Sequence, residues 1–200
     1  VQSVVGLAAP LTSWGFGQNS LPHIPDVVVR NLHPAVPLGF TRLAMTGLCA
    51  QFPGVCWNAI CHFVGCSDPD NFDPEMVSRI ASYYPRETSL KNIKHLVQCG
   101  RAGRLQHYDY GREENIRRYD SPFPTEYSLD GLTTPTALFY GTKDRMVPLE
   151  SHNSTLDFFP EGTVAVSNFS LPFGHTDFVW APEARELVYE PIVEFVRSTL

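Results

Sequence analysis

The run Thr136-Ala-Leu-Phe-Tyr-Gly-Thr-Lys-Asp144-Arg-Met-Val-Pro148 constrains this chain more than any other. It reads as a fully buried strand that ends in a turn presenting an acid. Apolar on consecutive positions, it must be covered on both faces, which is the situation of a strand inside a parallel sheet. Further on, Phe173-Gly-His175-Thr-Asp177-Phe places a histidine in a second turn, a few residues after another strand-like run, Thr163-Val-Ala-Val-Ser-Asn168. Near the start, Val4-Val5-Gly-Leu-Ala-Ala9 is a short apolar run stopped by Pro10, and it too fits a buried parallel strand.

Between the first run and the second the pattern changes to helical signals. Asp73-Pro-Glu-Met76-Val-Ser-Arg-Ile80-Ala-Ser-Tyr83-Tyr84 has an Asp cap, Pro at the first helical position and an early Glu. Its apolar face is expected to hold Met76, Ile80 and Tyr83 or Tyr84. A second helix is expected from Thr88 or Ser89 as cap, closing at Gly100. The chain ends in Pro182-Glu-Ala-Arg-Glu-Leu187-Val-Tyr-Glu-Pro191-Ile192-Val-Glu-Phe195-Val196-Arg197, a helix kinked at Pro191 with Leu187, Ile192, Phe195 and Val196 toward a sheet. Strands that frame a long helical insertion predict an α/β core with an inserted cap. The expected division is a core strand in residues 1–11, a helical cap or lid in 12–129, and a C-terminal core in 130–200.

Hydrophobic residues make up 43% of the 200 and charged residues 18%, enough to build a full core. The formal charge of −6 argues against a nucleic-acid partner, whose phosphates require a basic surface, and against docking on anionic membranes through basic patches. No apolar run reaches the roughly 18–20 residues of a membrane span. Residues 38–66 come nearest, and Arg42, Gln51 and Pro53 interrupt them. Val1-Gln-Ser-Val-Val-Gly-Leu-Ala-Ala9 has no basic n-region and reads as an internal strand, so a signal peptide is expected in a preceding part of the protein.

Five cysteines leave at least one thiol unpaired within the chain. Cys56, Cys61, His62 and Cys66 lack the close pair a structural zinc site favours, so neither metal nor cofactor is expected. A local disulfide is the expectation, with Cys49–Cys56 and Cys56–Cys66 both open. Clustered cysteines and two N-glycosylation sequons, at Asn153 and Asn168, favour a secretory or lysosomal route. Phe40, Phe52, Trp57 and Phe63 read either as core or as the lining of a lipid channel.

Asp144 and His175 carry the chemistry. A carboxylate in a turn after a strand can fix a histidine tautomer and stabilise imidazolium. Gly141 permits the tight turn, and Gly174 frees the histidine turn to aim its ring. Asp177 is a rival acid, better read as a cap or brace of its own loop. In an α/β-hydrolase the chain order is nucleophile, acid, histidine, with the nucleophile on a Gly-x-Ser-x-Gly elbow. That elbow does not occur in these 200 residues. Ser13 is the nearest serine after the first strand, but Leu11-Thr-Ser13-Trp-Gly15 lacks the elbow's first glycine.

The chain resembles the C-terminal half of the acid lipase family, which includes gastric lipase and lysosomal acid lipase. Gly174-His175-Thr-Asp177-Phe178-Val-Trp180 is similar to the family's block around its catalytic histidine, and Gly141-Thr-Lys-Asp144 to its Gly-x-x-Asp. Leu7-Ala8-Ala9-Pro10 looks like the strand end that follows the serine elbow. In the cap, Thr88-Ser89-x-x-Asn92-x-x-His95-x-x-Gln98, Gln106-x-Tyr108-Asp109-Tyr110-Gly111, Tyr119-Asp120, Pro124 and Tyr127 continue the likeness. Cys49, Cys56 and Cys66 fall about where the family has three cap cysteines, and the resemblance favours a Cys49–Cys56 pair. Gly174 departs from the family, which usually has a polar residue there, and residues 12–50 match only loosely.

The resemblance implies serine esterase chemistry on triacylglycerols or cholesteryl esters at a lipid–water interface. Asp144 and His175 would be the supporting triad members, backbone N–H groups would hold the oxyanion, and the cap would cover acyl chains. The expectation is therefore a lipase fragment without its nucleophile, inactive alone. Two alternatives stand beside it: a non-catalytic lipid-binding pseudo-lipase, and another α/β-hydrolase such as an epoxide hydrolase with an Asp nucleophile.

Overall fold

Strand β1 (Val4–Leu7) pairs in parallel with β2 (Thr136–Gly141), and β2 pairs in parallel with β3 (Val164–Leu171), giving the order β1-β2-β3. The computed structural model describes residues 2–8, 38–68, 73–83, 89–147 and 149–200. Ala9, Pro10, Ser13, Tyr84, Thr88 and Pro148, with most of the loosely matching stretch before residue 38, lie outside the described residues. Every residue of β2 is buried, as a strand covered on both faces must be. Alternation then divides its side chains between two cores. Ala137 and Phe139 enter a cluster with Leu171, Phe173, Phe178, Val188 and Phe195. Leu138 and Tyr140 point the other way, to Val147 and the partly buried Leu156, Phe159 and Val164. β1 departs from the expectation of full burial: Val4 is 39% exposed and only its inner residues are partly covered.

Parallel neighbours need crossover connections. Between β1 and β2 the described chain forms five helices, α1 (Leu38–Gln51), α2 (Pro53–Val64), α3 (Pro74–Tyr83), α4 (Leu90–Ala102) and α5 (Arg112–Tyr119). Between β2 and β3 runs α6 (Leu149–Leu156). After β3 come the short α7 (Asp177–Trp180), a π-turn over Arg185–Tyr189 and α8 (Glu190–Ser198). The last helix is thus not one kinked rod. Pro191 has no N–H to donate and its ring crowds the carbonyl of Leu187, and the widened turn just ahead of it removes that conflict. Leu187, Ile192, Phe195 and Val196 all pack toward the sheet, joined by the fully buried Val188.

Helices α1, α2 and α3 share a core of Cys49, Cys56, Trp57, Cys61, Cys66, Val77 and Ala81. The buried face of α3 is Val77, Ile80 and Ala81, with Met76 only partly buried and Tyr83 exposed. Ile80 is buried as expected and Met76 packs partly buried against the same cluster; Tyr83 is exposed, and the alternative Tyr84 lies outside the described residues. Ser89 caps α4 by accepting the Asn92 N–H at 3.1 Å. The helix runs past Gly100 and stops at Gly103, the residue that adopts the left-handed conformation (φ 65°) a helix end uses. Behind α4, Gln98 and Asp109 exchange two hydrogen bonds between side chain and backbone, at 2.8 and 3.0 Å, and His95 Nε2 meets the Gln106 carbonyl at 2.6 Å. Those bonds account physically for the polar pattern of that cap stretch.

Two disulfides tie the cap, Cys49–Cys56 and Cys61–Cys66. The Cys56–Cys66 alternative is corrected: Cys66 bonds Cys61, which lies five residues away across the end of α2. Cys99 is buried and free.

His152 on α6 is fully buried between the rings of Tyr140 and Phe169, at 4.1 and 4.7 Å. Its Nε2 lies 3.4 Å from Ser167 Oγ and its Nδ1 has no hydrogen-bond partner. Burial therefore pushes its pKa down. A histidine with a depressed folded pKa contributes its stability above the unfolded value, about 6.5, and loses it as pH falls through the folded one. His152→Gln is expected to flatten the loss of stability below pH 6.5, read as the difference in urea midpoint between the two proteins across pH 7 to 5. Phe139→Ala should cost about 3–5 kcal/mol in the same denaturation experiment, because it empties the centre of the larger core.

Candidate active site

The acid turn is built by the end of β2. A Cβ on Gly141 would lie 2.0 Å from the Phe173 carbonyl oxygen, so only glycine fits there. The close approach lets Thr142 N–H donate to Leu171 O at 2.8 Å and Lys143 N–H to Phe173 O at 3.0 Å, which zips the acid turn to the exit of β3. Asp144 follows immediately, its side chain completely buried.

Its carboxylate is satisfied on both oxygens. Oδ1 accepts the N–H groups of Met146 at 2.8 Å and Val147 at 2.7 Å. Oδ2 faces His175 Nδ1 at 2.9 Å. The two backbone bonds alone would describe an aspartate that caps its own turn. The third bond, to an imidazole from another strand's loop, goes beyond that. A carboxylate only accepts, so Nδ1 carries the proton and Nε2 presents its lone pair. The His175 side chain is 30% exposed, so the ring has an open side.

Asp177, the rival acid, serves elsewhere. Its buried Oδ2 accepts from Gly174 N at 2.8 Å and from Ser67 N at 2.5 Å. Burial raises its pKa, and the two amides and Lys143 oppose that rise. Ser67 sits just beyond the cap disulfide. Its carbonyl accepts from Lys143 Nζ, and Arg145 reaches the His62 carbonyl at 2.8 Å. A cleft of about 470 Å³ runs between these cap residues and the acid turn, lined by Cys61, Gly65, Ser67, Lys143, Asp144 and Arg145. Sequence reasoning missed Gly65, Ser67 and Lys143. Ser67 is 76 residues from Lys143 and 110 from Asp177, and no local pattern announces such a contact. Asn153 is exposed on α6, whereas Asn168 spends its side-chain oxygen on Ser170. Among the described residues no cluster of His, Cys, Asp or Glu could hold a metal ion, and no helix is long and apolar enough to cross a membrane.

A parallel sheet, an acid turn after one strand and a histidine turn after the next define the second part of an α/β-hydrolase core. Curated proteins agree with that class. The chain is 30% identical to human gastric triacylglycerol lipase over 78% of its own length and 39% of that protein's. It is 28% identical to Lipase 3 of Drosophila melanogaster over 74% of this chain and 38% of that one, and 26% identical to human Lipase member M over 88% and 42%. The chain is thus similar to these lipases, and it spans about two fifths of the length of the three named. No protein-family model matches it. Among solved structures, an alpha/beta hydrolase fold protein from Nakamurella multipartita aligns over 98% of this chain and 61% of its own, with a TM-score of 0.46 and 19% identity.

Gly141→Ala is expected to lower stability by about 1–3 kcal/mol, since its methyl meets backbone and not a side chain that could move. Thermal unfolding followed by circular dichroism measures this; an unchanged midpoint would mean that the two turns are not packed this closely.

Proposed function

We propose that this chain supplies the acid and the base of a serine esterase that hydrolyses neutral-lipid esters, triacylglycerols or cholesteryl esters. The observation that carries the proposal is the 2.9 Å bond from His175 Nδ1 to the buried Asp144 carboxylate, on turns that leave adjacent parallel strands. A serine on an elbow outside this chain attacks the ester carbonyl. His175 Nε2 takes the serine proton and returns it to the departing alcohol. It then takes a proton from water as the water attacks the acyl-enzyme, and gives that proton to the serine oxygen as the acyl–serine bond breaks and the fatty acid leaves. Asp144 holds the tautomer and stabilises the imidazolium at each step. Backbone N–H groups outside this chain stabilise the oxyanion. No cofactor enters this scheme.

The names of the relatives support an ester lipid as substrate. So do the exposed apolar side chains of the cap, Met45 and Leu48 on α1, Phe52 between the helices and Val55 on α2, which suit contact with a lipid–water interface. Two disulfides and the exposed sequon asparagine Asn153 favour a secreted or lysosomal protein. With no nucleophile at hand, these 200 residues alone should hydrolyse nothing.

The test uses the complete protein with its upstream segment. His175→Ala should lower kcat on a tributyrin or cholesteryl ester emulsion on the order of 10⁴–10⁶-fold, with an unchanged circular dichroism spectrum. Near-normal turnover by that variant would sink the proposal.

A further inference from the structure

Residues 61–67, the last turn of α2 and the residues just after it, lie against both the acid turn and the histidine turn. The contact is backbone on backbone. A Cβ on Gly174 would lie 2.2 Å from the Gly65 carbonyl group and 2.4 Å from Cys66 N. A Cβ on Gly65, which has φ +82°, would lie 2.2 Å from the Lys143 carbonyl oxygen. Three glycines therefore meet around the site, Gly65 from the cap loop and Gly141 and Gly174 from the two core turns. The departure at Gly174 now has a cause within this chain, because the cap loop occupies the space a side chain would need.

Polar contacts follow the same path. The Ser67 N–H donates to Asp177 Oδ2 and the Ser67 carbonyl accepts from Lys143 Nζ. The same Asp177 oxygen accepts the N–H of Gly174, the residue just before His175. One carboxylate oxygen thus couples the cap loop to the backbone that aims the imidazole. On the other side, Lys143 immediately precedes Asp144. The Cys61–Cys66 disulfide closes the loop between these contacts and α2.

We propose that the Cys61–Cys66 loop is a brace that holds His175 in register with Asp144, and that Asp177 is the positioning residue through which it acts. This rests on His175 being the base of the proposed reaction. A cap that only covered the site would need none of these bonds. The positioning comes from the bonds Asp177 accepts, over and above its attraction to Lys143: both N–H groups reach Oδ2, and the carbonyl oxygen of an asparagine can take that oxygen's place.

Nitrogen-15 NMR of the imidazole in the complete protein tests the brace, since the Nδ1–H tautomer and a low-field Nδ1 proton report the bond to Asp144. Wild type and Asp177→Asn should both show that proton. Asp177→Ala should lose it and give the mixed tautomers of an unconstrained histidine. Lys143→Met, an exposed substitution that removes the Ser67 contact from the acid side, should weaken it, and decides the matter if circular dichroism finds Asp177→Ala unfolded. An unchanged resonance in both Asp177→Ala and Lys143→Met would overturn the brace. Loss in Asp177→Asn as complete as in Asp177→Ala would show that the charge matters and overturn it equally. The resonance needs neither nucleophile nor substrate. A complete protein that fails to cleave esters would therefore remove the function and leave the brace, and an unchanged resonance would remove the brace and leave the function.

Discussion

A carboxylate taken out of water must find donors for its oxygens, and the region around Asp144 is arranged to supply them. Two come from the amides that follow it in the chain, and these fold the turn back on itself. The third is His175. For that bond to form, the exit of β3 has to pass within van der Waals reach of the exit of β2, which requires glycine at 141 and a strand buried on both faces beneath it. Removing any of these leaves a buried charge short of a partner, which costs more than the bond itself is worth. The site geometry and the fold are in this sense one constraint.

How far the chain could be read before its structure depends on the range of the signal. β2 was legible because an unbroken apolar run has one explanation in a parallel sheet. Asp144 lies just past that run and His175 just past the more polar, half-buried β3, and their hydrogen bond is what the structure adds. The cap was legible only as helical, and its details went astray where packing overrode pattern. Val77 and Ala81 join Ile80 on the inner face of α3, with Met76 at its margin and Tyr83 outside it, because burial follows the neighbouring helices and not side-chain size alone. Gly100 was passed over for Gly103, since a glycine ends a helix only where the backbone turns left-handed. The Cys61–Cys66 pair was missed because several spacings in the cluster were equally short, and only the end of α2 at Val64 selects among them. Contacts such as Ser67 with Asp177 leave no local trace at all.

The two disulfides divide the work of a cap that hangs between β1 and β2. Cys49–Cys56 joins α1 to α2 and belongs to the inner packing of the cap. Cys61–Cys66 fixes the point where the cap touches the core, beside Trp180 of α7, which packs on the same cap cluster. Cap and core are therefore joined beside the Asp144–His175 pair by backbone contact, hydrogen bonds and apolar packing, with the disulfide shaping the cap side of that contact. That continuity distinguishes this cap from a flap attached only by its two connecting strands.

The long insertion also sets the order in which the molecule can assemble. Val4 pairs with Thr136 across the whole cap, whereas β2 and β3 are separated only by α6 and its loops. Closing the longer loop costs more chain entropy and cannot begin until β2 has been synthesised. The cap, with disulfides spanning seven and five residues, has contacts short enough to form while the ribosome is still at work. β1 would then wait with an unpaired edge, a nascent strand exposed for the time taken to translate more than half the chain, and in need of shielding from its neighbours on the same polysome.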